Sequence, residues 1–125
     1  MSTENLTERE WQAQVLQLAR LYRWRVHHCR PALRASGRYS TPIQGHPGFP
    51  DLVLAKASRV IFAELKTDAR TSKLTDEQVA WRDVLLAAGV EWFCWRPRHL
   101  EEVRETLAPI TGWQTAESVG TGGRT

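Results

Sequence analysis

Two carboxylates and a lysine stand at the ends of two neighbouring strand-like segments in residues 45–67, GHPGFPDLVLAKASRVIFAELKT. Asp51 directly precedes the first apolar run, and Glu64 and Lys66 close the second. Because strand side chains alternate between faces, Glu64 and Lys66 point the same way. A hairpin turned at Lys56–Ser58 would bring Asp51 beside Glu64. Two carboxylates and an ammonium suit a hard divalent cation next to a phosphate, the chemistry of metal-assisted phosphodiester hydrolysis.

Each group in such a site has a definite task. Asp51 and Glu64 would hold one or two ions, and the backbone carbonyl of Leu65 lies near the same point. The metal acidifies its bound water and neutralises phosphate oxygens, which together lower the barrier by several kcal/mol. Lys66 would either orient the attacking water or stabilise the transition state, and the sequence leaves both roles open. The competing interpretation is an exposed ion pair between Glu64 and Lys66, which would contribute little to stability.

Longer strings around these residues resemble a known family. The order Pro-Asp followed by Glu-x-Lys resembles the PD-(D/E)xK class of metal-dependent nucleases. The strings GFPDLVL, FAELK and LTDEQVAWRDVLLAAGVEWFCWRP are similar to the virus-type replication-repair nuclease (VRR-NUC) family, over roughly residues 5 to 97. The resemblance implies an α/β fold with a restriction-endonuclease-like core, in which helices flank a small mixed β-sheet in the order α-β-β-β-α-β-α.

The same resemblance implies an activity. Stand-alone members look like Mg²⁺-dependent, structure-selective endonucleases that cleave branched DNA such as four-way junctions, with Mn²⁺ as a substitute, in phage or bacterial replication, repair or recombination. One chain carries one site, so paired cuts across a junction would need a two-fold homodimer. Two alternatives remain open: a sequence-specific restriction-type endonuclease, and a non-catalytic DNA-binding module.

The first helix is predicted over residues 6–22, and one further carboxylate on it concerns the site. Glu8 lies one turn before an apolar stripe and so extends it towards the core, where an unpaired carboxylate is costly. The alternative is that Glu8 complements the helix dipole. The resemblance implies that a first-helix glutamate joins the metal site, here through a bound water. Glu10 is the fallback, although Thr7 and Glu10 also have capping-box spacing. The stripe consists of Trp11, Val15, Leu18 and Tyr22.

The second long helix is predicted over residues 75–88, with Gly89 as its stop signal. Gln78 lies on the predicted inward stripe, so it can hydrogen-bond the substrate or a metal-bound water. Thr75 followed by Gln78 also has capping-box spacing, which is the structural alternative. The stripe consists of Trp81, Leu85 and Ala88. The remaining predicted elements are strands over residues 25–29, 51–56, 59–66 and 90–95, and a last helix over 98–107.

Basic residues near the site are candidates for phosphate contacts. Residues 30–48 are predicted to form an irregular loop, since Pro and Gly recur through it. A loop of this length in a small domain is usually functional. Singly, each basic side chain is more often merely solvated; as a group they are the predicted DNA-binding residues. They are Arg30, Arg34, Arg38, His46, Arg70 and Lys73.

Size and composition bound the remaining possibilities. The 125 residues suit one domain, and a composition of 42% apolar and 25% charged residues is typical of a soluble globular protein. We expect a nuclease-like domain over residues 1–108 and a disordered tail over 109–125.

Without a signal peptide, Cys29 and Cys94 are expected to be reduced thiols in a cytoplasmic protein. Their spacing fits no zinc motif. Neither a membrane partner nor an organic cofactor is expected.

Overall fold

The computed structural model describes residues 6–29, 32–33, 39–40 and 44–109. These residues form a mixed α/β structure with three helices and a four-stranded mixed sheet. The predicted tail lies outside the described residues from position 110 onward. In chain order the elements are α1 (Glu8–Leu21), β1 (Arg25–His28), β2 (Ala32–Leu33), β3 (Tyr39–Ser40), β4 (Leu52–Lys56), β5 (Arg59–Leu65), α2 (Asp76–Ala87), β6 (Glu91–Trp95), a 3₁₀ turn (Pro97–His99) and α3 (Leu100–Leu107).

The main sheet has the strand order β1-β4-β5-β6. Its first three strands are antiparallel neighbours, and β6 is parallel to β5 because α2 provides the crossover between them. The predicted hairpin is confirmed: Lys56 pairs with Arg59 across a two-residue loop. Ala57 in that loop has a φ of 55°, the left-handed geometry that tight hairpin turns require.

The order of elements differs from the predicted α-β-β-β-α-β-α, which omits the two short strands β2 and β3. They form a separate antiparallel pair within residues 30–48, the segment predicted to be irregular. Strands of two residues carry no measurable periodicity, and the surrounding Pro and Gly residues dominate the local signal. The strands of the main sheet and the three helices do follow one another as expected.

The hydrophobic core lies on one face of the main sheet, beneath α1 and α3. Period-two alternation along β4 and β5 directs one set of side chains there, and these meet the apolar stripe of α1. Burial of each large apolar side chain stabilises the fold by about 1.5–3 kcal/mol. The Trp24 indole donates a hydrogen bond to the Leu107 carbonyl (2.9 Å), which ties the end of α3 to the start of β1. The buried residues include Trp11, Val15, Ala19, Leu52, Leu54, Ile61, Ala63, Leu65, Trp95, Val103 and Leu107.

Helix α2 lies against the other face and is much less buried. Trp81 and Leu85 of its predicted inward stripe are half-buried, whereas Ala88 is exposed, so that part of the prediction is wrong. Ala88 is the C-cap and lies beyond the last helical residue. Gly89 ends the helix as predicted, with a φ of 84°. Within the described ranges, no helix is long and apolar enough to cross a membrane.

Candidate metal and phosphate site

Asp51 and Glu64 lie opposite one another at the open end of the β4–β5 hairpin. Leu52 pairs with Ala63, so Asp51 and Glu64 are the next residues along the two strands. The Oδ2 atom of Asp51 accepts a hydrogen bond from the Leu65 amide (2.9 Å), and the Asp51 carbonyl accepts one from the Cys29 amide (3.1 Å). Main-chain and side-chain bonds therefore fix the first predicted carboxylate beside the second.

Glu64 is buried, with 1% of its surface exposed. Its Oε1 atom accepts a hydrogen bond from the Gln78 amide (3.3 Å), while buried Oε2 has no partner among the described residues. The pKa of Glu64 is raised to about 9, chiefly because burial disfavours the ionised form, and then by hydrogen bonding to Asp51 and by its charge. A protonated Glu64 can donate to Asp51, but two ionised carboxylates offer no donor to each other.

The burial of Glu64 rules out the alternative of an exposed surface ion pair. An ionised carboxylate with one unpartnered buried oxygen is costly unless a cation neutralises it. The arrangement thus fits a divalent ion, which would supply both the missing partner for Oε2 and the compensating charge.

Gln78 forms the capping box that was its structural alternative, and it also hydrogen-bonds to Glu64, whereas its predicted bond to substrate or a metal-bound water stays a prediction. Its Oε1 atom accepts a hydrogen bond from the Thr75 amide (2.9 Å), and the Thr75 hydroxyl oxygen accepts one from the Gln78 amide (3.2 Å). This is the predicted capping box. The Nε2 atom of the same side chain donates to Glu64. The start of α2 is therefore connected directly to the buried carboxylate.

Lys66 follows β5, on the same face as Glu64. Its positive charge lowers the pKa of Glu64, opposing the larger effect of burial. Its backbone amide donates to the Trp95 carbonyl (3.0 Å), which fixes the main chain beside β6. Within the described residues the half-buried Lys66 side chain makes no ion pair, so its ammonium remains available for a phosphate.

Helix α1 begins close to this site. The Trp11 indole donates to the Trp95 carbonyl (3.0 Å), the same oxygen that accepts from the main chain after β5. Glu8, one turn earlier, is exposed rather than directed into the core, and its side chain accepts from Gln12 (3.4 Å). The predicted inward position is wrong, since the stripe reaches the sheet only from Trp11 onward. The charge of Glu8 nevertheless raises the pKa of Glu64, so the two carboxylates are electrostatically coupled.

Glu10, the fallback ligand, is engaged at the helix terminus. Its Oε1 atom accepts from the Thr7 amide (2.9 Å), and the Thr7 hydroxyl oxygen accepts from the Glu10 amide (3.1 Å). The predicted capping box is therefore present. Of the two first-helix glutamates, Glu8 is the one that couples to the site.

In the part of the chain that the structure describes, no three His, Cys, Asp or Glu side chains cluster to hold a metal ion. A cation here would therefore take two protein carboxylates, from Asp51 and Glu64, and complete its shell with the Leu65 carbonyl, water and phosphate. Mg²⁺ is commonly bound in this way, because it keeps several waters and uses one or two carboxylates with substrate phosphates.

The predicted phosphate-binding residues are only partly described. His46, Arg70 and Lys73 are exposed. Arg70 and Lys73 lie in the loop between β5 and α2, which starts beside Lys66. The other three, Arg30, Arg34 and Arg38, lie outside the described residues. Phosphate contacts from this group stay a prediction.

A contact between the loop before Asp51 and helix α2 was missed by the sequence analysis. Phe49 meets the rings of Trp81 and Phe62 edge-on, at centroid distances of 5.0 and 5.9 Å. The Trp81 indole also donates to the His46 carbonyl (3.3 Å). A cavity of about 340 Å³ lies beside this contact, lined by His46, Pro47, Glu77, Ala80, Trp81 and Val84. The only signal in the sequence was an aromatic residue directly before the Pro-Asp pair.

Gly48 makes the closest approach in this contact. A Cβ atom at this position would lie 2.6 Å from the Glu77 backbone carbon, and the φ of Gly48 is 92°. We expect Gly48→Ala to lower the free energy of unfolding by about 2 kcal/mol, from strain and from displacement of the loop. The nuclease activity that the family resemblance implies should fall as well, because Asp51 would move relative to the residues that α2 holds in place. Thermal unfolding and single-turnover cleavage measure the two effects.

Gly45→Ala is the matched control. Gly45 also has a positive φ, 111°, but no atom of the described residues lies within 4 Å of the position that a Cβ would take. This variant should cost only the backbone strain, about 1 kcal/mol, and leave cleavage unchanged. Equal losses of activity in the two variants would show that the contact with α2 does not position Asp51.

Comparison of the chain with protein-family models, with curated proteins and with solved structures finds no match in any of the three. The likeness to the VRR-NUC family therefore depends on the quoted strings, and the chemistry depends on the arrangement of Asp51, Glu64 and Lys66.

Proposed function

We propose that the protein is a Mg²⁺-dependent endodeoxyribonuclease of the PD-(D/E)xK type, with a restriction-endonuclease-like core and VRR-NUC character. The observation that carries this proposal is the buried Glu64 carboxylate, which faces Asp51 and leaves Oε2 without a partner among the described residues. When both carboxylates are ionised, such a pair is costly without a cation and suited to one. Lys66 beside it supplies the charge for a phosphate.

Asp51, Glu64 and the Leu65 carbonyl would hold the ion, with Mn²⁺ as a substitute for Mg²⁺. When bound, the metal supplies an acidified water and neutralises phosphate oxygens. The chain's own groups do the positioning. Lys66 binds a non-bridging phosphate oxygen or the attacking water, and Glu8 orients a water in the outer shell.

Glu64 must lose its proton before it can bind a cation. Because its pKa is about 9 without metal, ion binding at neutral pH releases a proton to solvent. Cation affinity should therefore rise with pH until Glu64 is ionised on its own. Gln78 keeps its hydrogen bond in both states, since an amide N–H can donate to a neutral or an ionised carboxyl.

We further propose branched DNA, such as a four-way junction, as the substrate, and a homodimer as the active form in the cytoplasm. These proposals rest on the family resemblance. One chain provides one pair of carboxylates, so symmetric cuts in two strands need two chains related by a two-fold axis.

The test is a cleavage panel of end-labelled linear duplex, single strand, flap and four-way junction, each with Mg²⁺, Mn²⁺ or EDTA. We expect cleavage with either cation, none in EDTA, and a junction rate at least about tenfold above that of linear duplex. No cleavage of any substrate would overturn the nuclease proposal, and binding without cleavage would favour the non-catalytic module. Equal rates on junction and linear DNA would overturn the choice of substrate alone. Cuts at one fixed sequence would favour a restriction-type enzyme.

A further inference from the structure

The net positive charge of the chain arises in one segment, because that segment contains no acidic residue. Residues 11–50 contain six of the seventeen Lys and Arg residues and none of the fourteen Asp and Glu residues. The rest of the chain then has eleven basic and fourteen acidic residues, so its formal charge is negative although the whole chain carries +3. A local excess of positive charge attracts a polyanion.

Three of these six arginines surround an open groove between α1 and the edge strand β1. Arg20, Arg23 and Arg25 line it, and its volume is about 740 Å³. We call it the arginine groove. All three side chains are exposed and make no ion pair within the described residues. Elsewhere in the described chain, four of the seven arginines are paired with acids: Arg59, Arg82, Arg98 and Arg104.

Arg23 occupies a position that normally favours glycine. The Arg23 amide donates to the Arg20 carbonyl (3.0 Å) and the Trp24 amide to the Ala19 carbonyl (2.9 Å), which is a Schellman ending of α1. Arg23 consequently has a φ of 67°. Helix α2 ends in the same motif with Gly89 at its left-handed position. An arginine at this position strains the backbone, so the presence of arginine instead of glycine needs a reason other than stability.

Both walls of the arginine groove run towards the candidate metal site. Helix α1 starts at Glu8 beside the site and runs about 18 Å to Arg20, at 1.5 Å per residue. Arg9 is exposed and lies eleven residues before Arg20, hence on the same flank of the helix. Strand β1 runs from the groove towards the candidate metal site, because His28 pairs with Leu52, the neighbour of Asp51.

We propose that the arginine groove binds the sugar–phosphate backbone of a duplex arm of the DNA substrate, three to six nucleotides from the scissile phosphate. The range follows from about 10 Å along β1 between Arg25 and His28, about 18 Å along α1 between Arg20 and Glu8, and a rise of about 3.4 Å per base pair. The inference rests on the proposed nuclease function. Guanidinium groups on phosphates fix position without reading sequence, so the groove would orient an arm of any sequence.

The first experiment compares two charge-matched double variants. Arg20→Gln with Arg25→Gln removes two groove charges, and Arg82→Gln with Arg104→Gln removes two paired charges elsewhere. Binding to a junction with 20-base-pair arms is measured in EDTA over a series of salt concentrations. We expect the groove variant to bind at least about tenfold more weakly, with a salt slope smaller by about two, and the control to bind like the wild type.

The second experiment places neutral methylphosphonate linkages along one arm. Linkages three to six nucleotides from the cut should weaken binding of the wild type but not of the groove variant. Linkages ten or more nucleotides away should affect both proteins equally. Loss of binding that does not depend on linkage position, or that is the same in both proteins, would overturn the proposed location.

Arg23→Gly separates binding from folding. Glycine relieves the left-handed strain, so the melting temperature should rise while DNA affinity falls several-fold. A merely structural arginine would leave DNA affinity unchanged or improved, which would overturn its role in the groove. The steady-state readout is a raised KM with an unchanged kcat, because the variant lacks an arm contact and keeps the metal site.

The outcomes distinguish this inference from the function on which it rests. Normal Mg²⁺-dependent cleavage with wild-type binding by the groove variants would overturn the groove alone. Weakened binding by those variants without cleavage by any form of the protein would overturn the nuclease proposal and leave the groove as a DNA-binding site. Absence of DNA binding by the wild type would overturn both.

Discussion

Asp51→Asn is expected to reduce Mg²⁺-dependent cleavage by about a thousandfold or more, with little change in stability. The amide oxygen of asparagine can still accept the hydrogen bond that Asp51 takes from the Leu65 amide (2.9 Å). The negative charge is lost, and with it one of the two carboxylates that would hold the cation. This substitution therefore removes the charge of Asp51 but keeps its hydrogen bond to the Leu65 amide. Single-turnover cleavage and Mn²⁺ titration by calorimetry measure the effect.

Two further variants complete this experiment. Asp51→Ala also removes the acceptor and leaves the Leu65 amide unpaired, so it should lose about 1–3 kcal/mol of stability as well as activity. Asp83→Asn changes an exposed carboxylate that is paired with Arg82, and it should cleave like the wild type. If Asp51→Asn kept more than a tenth of the wild-type rate and bound Mn²⁺ normally, Asp51 would not be a metal ligand.

The sequence was sufficient to predict how Asp51 and Glu64 come together. Alternating apolar residues mark two strands, and a short polar interval between them permits only a hairpin. Once the loop has two residues, antiparallel register places the two carboxylates at the same end. The capping boxes of α1 and α2 could also be predicted, because the two residues that form each box lie three positions apart in the sequence.

Features that depend on packing between distant segments could not be predicted in this way. Glu64 of β5 is buried beside Asp51 and Gln78 of α2, which lie 13 and 14 positions away in the sequence. The contact of Phe49 with Trp81 joins residues 32 positions apart, so neither residue indicates the other. The prediction for Glu8 was wrong for a related reason. Helical periodicity predicts which side of α1 faces the sheet, but it does not predict how many turns of α1 the sheet covers.

Glu64→Gln should make the metal-free protein more stable at pH 8, although it abolishes cleavage. The folded wild type keeps the Glu64 proton up to a pKa of about 9, whereas the unfolded chain loses it near 4.5. The unfolded state therefore binds fewer protons between these values, and stability falls as pH rises through this window. The loss from this one buried group between pH 5 and 8 is on the order of 4 kcal/mol.

Glutamine removes that dependence because it is neutral throughout, and its side-chain oxygen can still accept from the Gln78 amide. Denaturant unfolding in EDTA should give a stability that falls from pH 5 to 8 in the wild type and stays nearly level in Glu64→Gln. Mg²⁺ should restore the stability of the wild type at pH 8 by binding the folded state and should leave the variant unchanged. Glu102→Gln, an exposed change on α3, should titrate like the wild type. Equal pH slopes in wild type and Glu64→Gln would mean that Glu64 is ionised without a cation, and the physical reason for a metal at this site would be lost.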